Sequence, residues 1–241
     1  MVVGLGPGDR SYSAPAAITA IETADVIVGY KTYLNLIEDL LVNKEVISSG
    51  MRKEIDRAKA AADLASEGKC VAVVSSGDPG VYGMAGIVLE LVEEQYNDKN
   101  IEVEVIPGIT AATAAAAALG APLMHDFAVI SLSDLLTPWT KIMTRIEAAG
   151  LGDFIVVLYN PKSHGRPNHI NTAREIFLWH KDPMTPVGIV RNAKRGEEEV
   201  IITNLKEMLN HPIDMLTTVV IGNSQTKIIN GKMVTPRGYQ L

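Results

Sequence analysis

Apolar residues in the first 120 positions come in short continuous runs separated by mixed segments with helical spacing. The runs fall at 2–5, 25–28, 45–48, 70–75 and 101–106. Each is bounded by turn-forming or polar residues and is too short for a buried helix, so each predicts a strand. The stretches near 14–23, 32–42, 52–67 and 80–95 carry the helical pattern. Strands that are apolar on both faces and alternate with helices imply a parallel sheet covered on both sides. Right-handed crossovers then set the turns that follow these strands along one edge of the sheet.

After Gly120-Ala121-Pro122 the rhythm changes. Strand-like runs at 127–131, 153–158, 186–191, 198–203 and 217–221 are separated by fewer helices. The segment from Gly188 to Ile202 reads as two strands joined by a polar hairpin, hence antiparallel pairing. The expectation is an α/β protein of two α/β domains: residues 1–119 with a parallel sheet and residues 120–241 with a mixed one. A cleft between two such domains is the default ligand site. The turn Val105-Ile106-Pro107-Gly108-Ile109-Thr110 leads into a helix of small residues, 111–119. Small side chains there serve either close helix–sheet packing or close approach of a ligand.

Composition narrows the classes of function. At 241 residues, 47% apolar and 21% charged, the chain is an ordinary globular one, long enough to bury a core. A net charge of −6 argues against a general nucleic-acid or membrane-surface binder. The single cysteine, Cys70, excludes an internal disulfide framework or a cysteine-held cluster; in its apolar run it is expected to be buried. No stretch resembles a leader or a membrane span, so a cytoplasmic location is expected, with no metal site of the protein's own.

Two glycine-rich turns carry candidate chemistry. The first, Gly4-Leu5-Gly6-Pro7-Gly8-Asp9, follows the first strand. It fails the dinucleotide fingerprint: its glycines are misplaced, the second strand ends at Gly29-Tyr30-Lys31 without a carboxylate, and Pro7 lacks an amide N–H that a phosphate would use. No Gly-Lys-Ser/Thr phosphate loop occurs. The second turn, Ser75-Ser76-Gly77-Asp78-Pro79-Gly80-Val81-Tyr82-Gly83, follows the fourth strand. It reads either as turn chemistry opening a helix or as part of a ligand rim. With Asp9, Asp78 and Thr110 brought to one sheet edge, such a rim suits an adenosyl ligand better than a polyphosphate.

Gly4-x-Gly-Pro-Gly-Asp9, Ser76-Gly-Asp-Pro79 and Pro107-Gly-Ile-Thr-Ala111, in this order and spacing, resemble the tetrapyrrole methylase family (the class III methyltransferase fold), over nearly the whole chain. Further words, among them Gly29-Tyr-Lys-Thr-Tyr33, Gly120-Ala-Pro-Leu-Met-His-Asp126, Ile130-Ser-Leu-Ser-Asp-Leu-Leu-Thr-Pro-Trp139 and Tyr159-Asn-Pro161, are similar to the branch of that family acting at carbon 17. The resemblance implies S-adenosylmethionine-dependent methylation of a precorrin-3B or cobalt-factor III macrocycle, with ring contraction, in cobalamin biosynthesis. It also implies a homodimer. Carried over residue by residue, it assigns Pro7, Ser76, Gly77, Asp78, Val81, Thr110 and Ala111 to the cofactor, with Tyr159, Asn160 and Gly188 closing its site from the second domain.

Ring contraction needs proton management. His125 with Asp126 is the first candidate pair, against the alternative of a linker turn in which Asp126 caps a backbone amide. Ser131, Ser133 and Asp134 would bind propionate or pyrrole groups, or else serve turn and N-cap chemistry before Trp139. A polycarboxylate substrate needs a local positive surface on a net-acidic protein. Lys31, Arg52 and Lys53 are candidates because they follow strand ends, and Lys162, Arg166, Arg191, Lys194 and Arg195 sit in loops. The other histidines, including His169, lie in polar segments and are expected at the surface. Three rivals stand beside this reading: a methylase of the same fold with another target carbon or substrate, an NAD(P)-dependent oxidoreductase, and a non-catalytic adenosyl-ligand sensor.

Overall fold

The computed structural model describes residues 1–50 and 52–240, and it divides into two compact units, 1–111 and 112–241. In the first unit β1 (Val2–Gly4), α1 (Pro15–Thr23), β2 (Val26–Tyr30), α2 (Lys31–Leu34), β3 (Glu45–Ser49), α3 (Glu54–Ser66), β4 (Val71–Ser75), α4 (Ala85–Gln95) and β5 (Val105–Ile106) follow in order. The strands form one parallel sheet in the order β3-β2-β4-β1-β5. Side chains alternate across it. Val26, Val28, Val71 and Val73 face Ala58, Ala61 and Val88 of α3 and α4, whereas Ile27, Ala72 and Val74 face Ala17, Ala20 and Ile21 of α1. Both faces are therefore dry, which is why these strands read as unbroken apolar runs.

Local signals explain the helix starts. Pro15 opens α1, where its missing N–H and fixed φ suit the first helical turn. Glu54 and Asp56 place negative charge in the first turn of α3. The expected helix at 32–42 is interrupted: α2 is one turn long and a 3₁₀ segment follows, with Ile37 outside helical geometry. The expected helix at 80–95 starts only at Ala85, because the turn that precedes it runs on to Met84. Of the predicted strand at 101–106, only 105–106 pairs.

The second unit contains α5 (Ala111–Leu119), β6 (Gly120–Ala121), β7 (Phe127–Ser131), α6 (Trp139–Leu151), β8 (Ile155–Tyr159), α7 (His169–Leu178), β9 (Pro186–Arg191), β10 (Glu199–Asn204), β11 (Thr217–Ile221), β12 (Lys227–Ile229) and β13 (Lys232–Val234). Its main sheet runs β10-β9-β11-β8-β7 and is mixed, with only β7 and β8 parallel. One face packs on α6 and α7 through Ile142, Ile146, Ala173 and Phe177. The other takes α5 through Ala112, Ala115 and Leu119. The division of the units thus falls at 111/112 rather than after 119, because the buried face of α5 belongs to the second sheet. A Cβ on Gly188 would stand 2.3 Å from Leu119 Cδ1, so this glycine lets α5 lie flat on β9.

Lys181, after α7, is buried and reaches Asp153 Oδ1 (3.3 Å) and the Phe154 carbonyl (2.9 Å). Ser224 completes the knot: its hydroxyl donates to Asp153 Oδ2 at 2.6 Å. Burial opposes the Asp153 charge, but the Ser224 and Lys181 hydrogen bonds outweigh it and hold the carboxyl below its ordinary 3.8. Cys70 is exposed, contrary to expectation, because it precedes β4 and only its backbone is engaged, donating to Asp25 Oδ2 at 2.8 Å. Among the described residues no helix is long and apolar enough to cross a membrane.

Candidate active site

In a parallel sheet the loops after the strands share one edge, and in the first unit those after β1, β4 and β5 touch through their main chains. Gly6 and Gly77 form an isolated antiparallel bridge, with N–H to O distances of 3.1 and 2.7 Å in the two directions. A Cβ on Gly4 would meet Gly108 N at 2.7 Å and Gly77 O at 2.8 Å, and one on Gly108 would meet Gly77 O at 2.2 Å. Only glycine permits backbones this close. Gly77 itself has φ +69°, and a Cβ there would sit in ordinary contact with Thr110 Cα (3.8 Å) and Ala111 N (3.9 Å), so here it is the backbone conformation rather than crowding that favours glycine.

Asp78 locks this arrangement. Its Oδ1 accepts from Gly80 N (2.8 Å) and its Oδ2 from Gly108 N (3.0 Å), tying the loop after β4 to the loop after β5. Both oxygens thus serve backbone amides, a structural use of the carboxylate that accompanies its place on the rim. Asp9 is exposed and turned to its own loop: Ser11 donates to it from backbone and hydroxyl (2.9 and 2.6 Å), which lowers its pKa. Pro7 is buried, and Ser76, Val81, Thr110 and Ala111 are half-buried around the same edge. Lys31, Arg52 and Lys53 follow the adjacent ends of β2 and β3 and are all exposed. Arg52 takes φ +62°, and Lys53 pairs with Asp56 at 3.0 Å.

In the second unit the corresponding edge lies beyond β7 and β8. Tyr159 Oη accepts from Ala112 N (2.6 Å) at the start of α5. Asn160, in the left-handed region at φ +52°, donates from Nδ2 to Ser131 Oγ (2.9 Å), which also accepts from Ser133 N (3.2 Å). Asp134 contacts His169 Nε2 at 3.1 Å and stands 3.8 Å from Arg166 Nε. The sequence gives no hint of that pairing, because the partners lie on separate loops. His125 and Asp126 are arranged differently from the expected dyad. The Asp126 backbone N–H donates to His125 Nδ1 (3.0 Å), while the Asp126 carboxylate stands 3.7 Å from the same nitrogen and largely in solvent. Gly188 is buried under Leu119.

A chain with these glycine loops, compared with known sequences, matches the profile of the Tetrapyrrole (Corrin/Porphyrin) Methylases over residues 1–209. The chain belongs to the tetrapyrrole methylase family. It is 53% identical over 242 residues to the cobalt-factor III methyltransferase of Priestia megaterium, covering all of this chain but 45% of that protein. It is 50% identical over 240 residues to the probable cobalt-factor III C(17)-methyltransferase of Salmonella typhimurium, covering 100% of this chain and 99% of that one. In structure it is similar to the methyltransferase CobJ, with a TM-score of 0.90, 37% identity and 98% of each chain covered. The α/β methylase fold expected from the glycine words, with its parallel and mixed sheets, is the one observed. Among the described residues no group of three His, Cys, Asp or Glu is placed to hold a metal ion.

Proposed function

We propose that this methylase transfers a methyl group from S-adenosylmethionine to carbon 17 of a cobalt-factor III macrocycle, with ring contraction, during cobalamin biosynthesis. The observation that carries the reading is the 50% identity to the Salmonella protein across essentially the full length of both chains. The rim of the first unit offers the donor main-chain atoms: the loops carrying Gly77 and Gly108 meet there backbone to backbone, and Thr110 and Ala111 lie beside Gly77. Bound there, S-adenosylmethionine supplies an electrophilic methyl on a sulfonium. The chain's part is to orient it. Pro7, Ser76, Gly77, Asp78, Val81, Thr110 and Ala111 hold it through a scaffold made rigid by the Gly6–Gly77 bridge and the two Asp78 hydrogen bonds. Rigid positioning accounts for much of the rate in an in-line displacement. Tyr159, Asn160 and Gly188 belong to the same proposal as cofactor residues; Gly188 does so indirectly, through the seat of α5.

Lys31, Arg52 and Lys53 supply the local positive charge that a macrocycle with several carboxylates requires on a protein of net charge −6. Ser131, Ser133 and Asp134 take polar substrate groups in the second unit. A homodimer and a cytoplasmic location complete the reading. Incubation of the pure protein with S-adenosylmethionine and cobalt-factor III, or its cobalt-free counterpart, should give a product one methyl heavier with an altered absorption spectrum. Tight donor binding without turnover on either macrocycle would sink the proposal. Sedimentation at micromolar concentration tests the dimer, which a monomeric mass would refute.

A further inference from the structure

Beyond β7 and β8, Asp134 meets His169, which packs on Trp139, and the function above leaves those last two side chains unused. His169 opens α7 and Trp139 opens α6; their rings lie 4.0 Å apart at 53°. Asp134, on the loop before α6, contacts His169 Nε2 at 3.1 Å. The His169 side chain is 19% exposed, against 44% for His125, so it is held in place yet open on one side. A carboxylate only accepts hydrogen bonds, so Nε2 carries the proton and Nδ1 presents its lone pair. Nδ1 has no partner among the described residues. The charged neighbours on this side are Asp134 and, across it, Arg166, whose Nη1 is buried without a hydrogen bond. Buried polar groups are normally satisfied within a loop whose only task is structural.

We propose that His169 is the proton acceptor of the methylation reaction and that Asp134 is its positioning residue. The inference rests on the methylase reading given above. A methyl group leaves the sulfonium without its bonding electrons, and the acceptor carbon forms the new bond with a π pair. The macrocycle's charge therefore rises by one. It falls again when a proton-bearing group conjugated with that carbon breaks its bond to hydrogen. The electron pair returns to the π system and the proton passes to His169 Nδ1. The imidazolium so formed is paired with Asp134 and shielded by Trp139, and it releases the proton to water after the product leaves.

The test uses the full chain and the variants H169Q and D134N, with H169A plus free imidazole as a rescue. Glutamine keeps an N–H for Asp134, so the loop should fold. Single-turnover methylation of cobalt-factor III should fall on the order of 100-fold in H169Q and lose the acid limb of its pH–rate profile. Affinity for S-adenosylhomocysteine should stay within about twofold, and imidazole should restore part of the H169A rate. Nitrogen-15 spectra of the parent, read without substrate, should show Nε2 protonated and Nδ1 bare, and D134N should lose that preference. A parent ring protonated at Nδ1 instead would overturn the proposal whatever the activity. So would an H169Q rate within about threefold of the parent with the limb intact. A parent that never methylates the macrocycle brings down the methylase reading and this inference together; an active parent with an equally active H169Q removes this inference alone.

Discussion

Replacing Asp78 by asparagine removes one acceptor from a side chain that serves two backbone amides, Gly80 N at 2.8 Å and Gly108 N at 3.0 Å. Asparagine keeps a single oxygen and turns an NH₂ toward the other N–H. A hydrogen bond to a charged group contributes about 1.5–3 kcal/mol. Asp78 is half-buried, so the lower end of that range applies, with a further increment for the opposed donors. The expected cost is about 2 kcal/mol, or roughly a 30-fold rise in local opening of the loop. Hydrogen exchange reads this directly: the amides of Gly80 and Gly108 should exchange faster by that order, while those of β2 do not change. Titration calorimetry should show S-adenosylhomocysteine binding weakened by about tenfold, since part of the binding free energy must first close the loop. Exchange and affinity both within about twofold of the parent would show that Asp78 does not brace the rim, and the rigid-scaffold account of donor positioning would fail with it.

Gly108→Ala sets a Cβ 2.2 Å from Gly77 O, so it should abolish measurable S-adenosylhomocysteine binding, whereas Gly165→Ala, with nothing within 4 Å, should leave calorimetric affinity unchanged. Gly188→Ala should destabilise the second unit by about 1–3 kcal/mol in urea unfolding, because Leu119 must shift from β9. Asp153→Asn should cost about 2 kcal/mol near neutral pH, the exposure of Asp153 discounting the usual value for a broken buried pair. Because folding depresses the Asp153 pKa, its contribution is present above the ordinary 3.8 and lost as pH falls through the folded value. Parent and variant unfolding curves should therefore converge in acid, and a constant gap would contradict the assignment. His125→Ala, in an exposed turn, should leave single-turnover methylation within about twofold, with a larger loss marking a role its geometry does not suggest.

The first unit was legible because its chemistry is local and periodic. Val71–Val74 and Val26–Val28 are apolar on both faces, and the first of these is followed within a few residues by one of the turns that build the rim. Glycine words at 4–9, 76–83 and 107–110 announce backbone approach even though the approach joins distant loops. In the second unit α6 and α7 were under-read. Their buried positions, such as Ile142, Ile146 and Ala149, are spaced as a helix but diluted by polar and small neighbours. The β12–β13 hairpin was missed although Asn230-Gly231, both at positive φ, is good turn chemistry; its arms are three residues long, too short for alternation to register. The His169–Asp134 contact depends on two loops meeting, which no single-residue signal encodes, whereas the adjacent His125-Asp126 drew attention simply by being adjacent.

The position of β1 in its sheet has a consequence during synthesis. Val2 leaves the ribosome before the rest of its sheet, yet its neighbours are Val73 on one side and Val105 on the other. At 5–20 residues per second, about a hundred further residues take roughly 5–20 s to follow. Until Val73 emerges the strand that bears the first glycine turn has no partner on either edge, and for the rest of that interval one edge stays open. Newly made chain that carries β1 should therefore be a preferred client for holding chaperones until β5 emerges, and the donor rim forms late, as the final act of the first unit's folding.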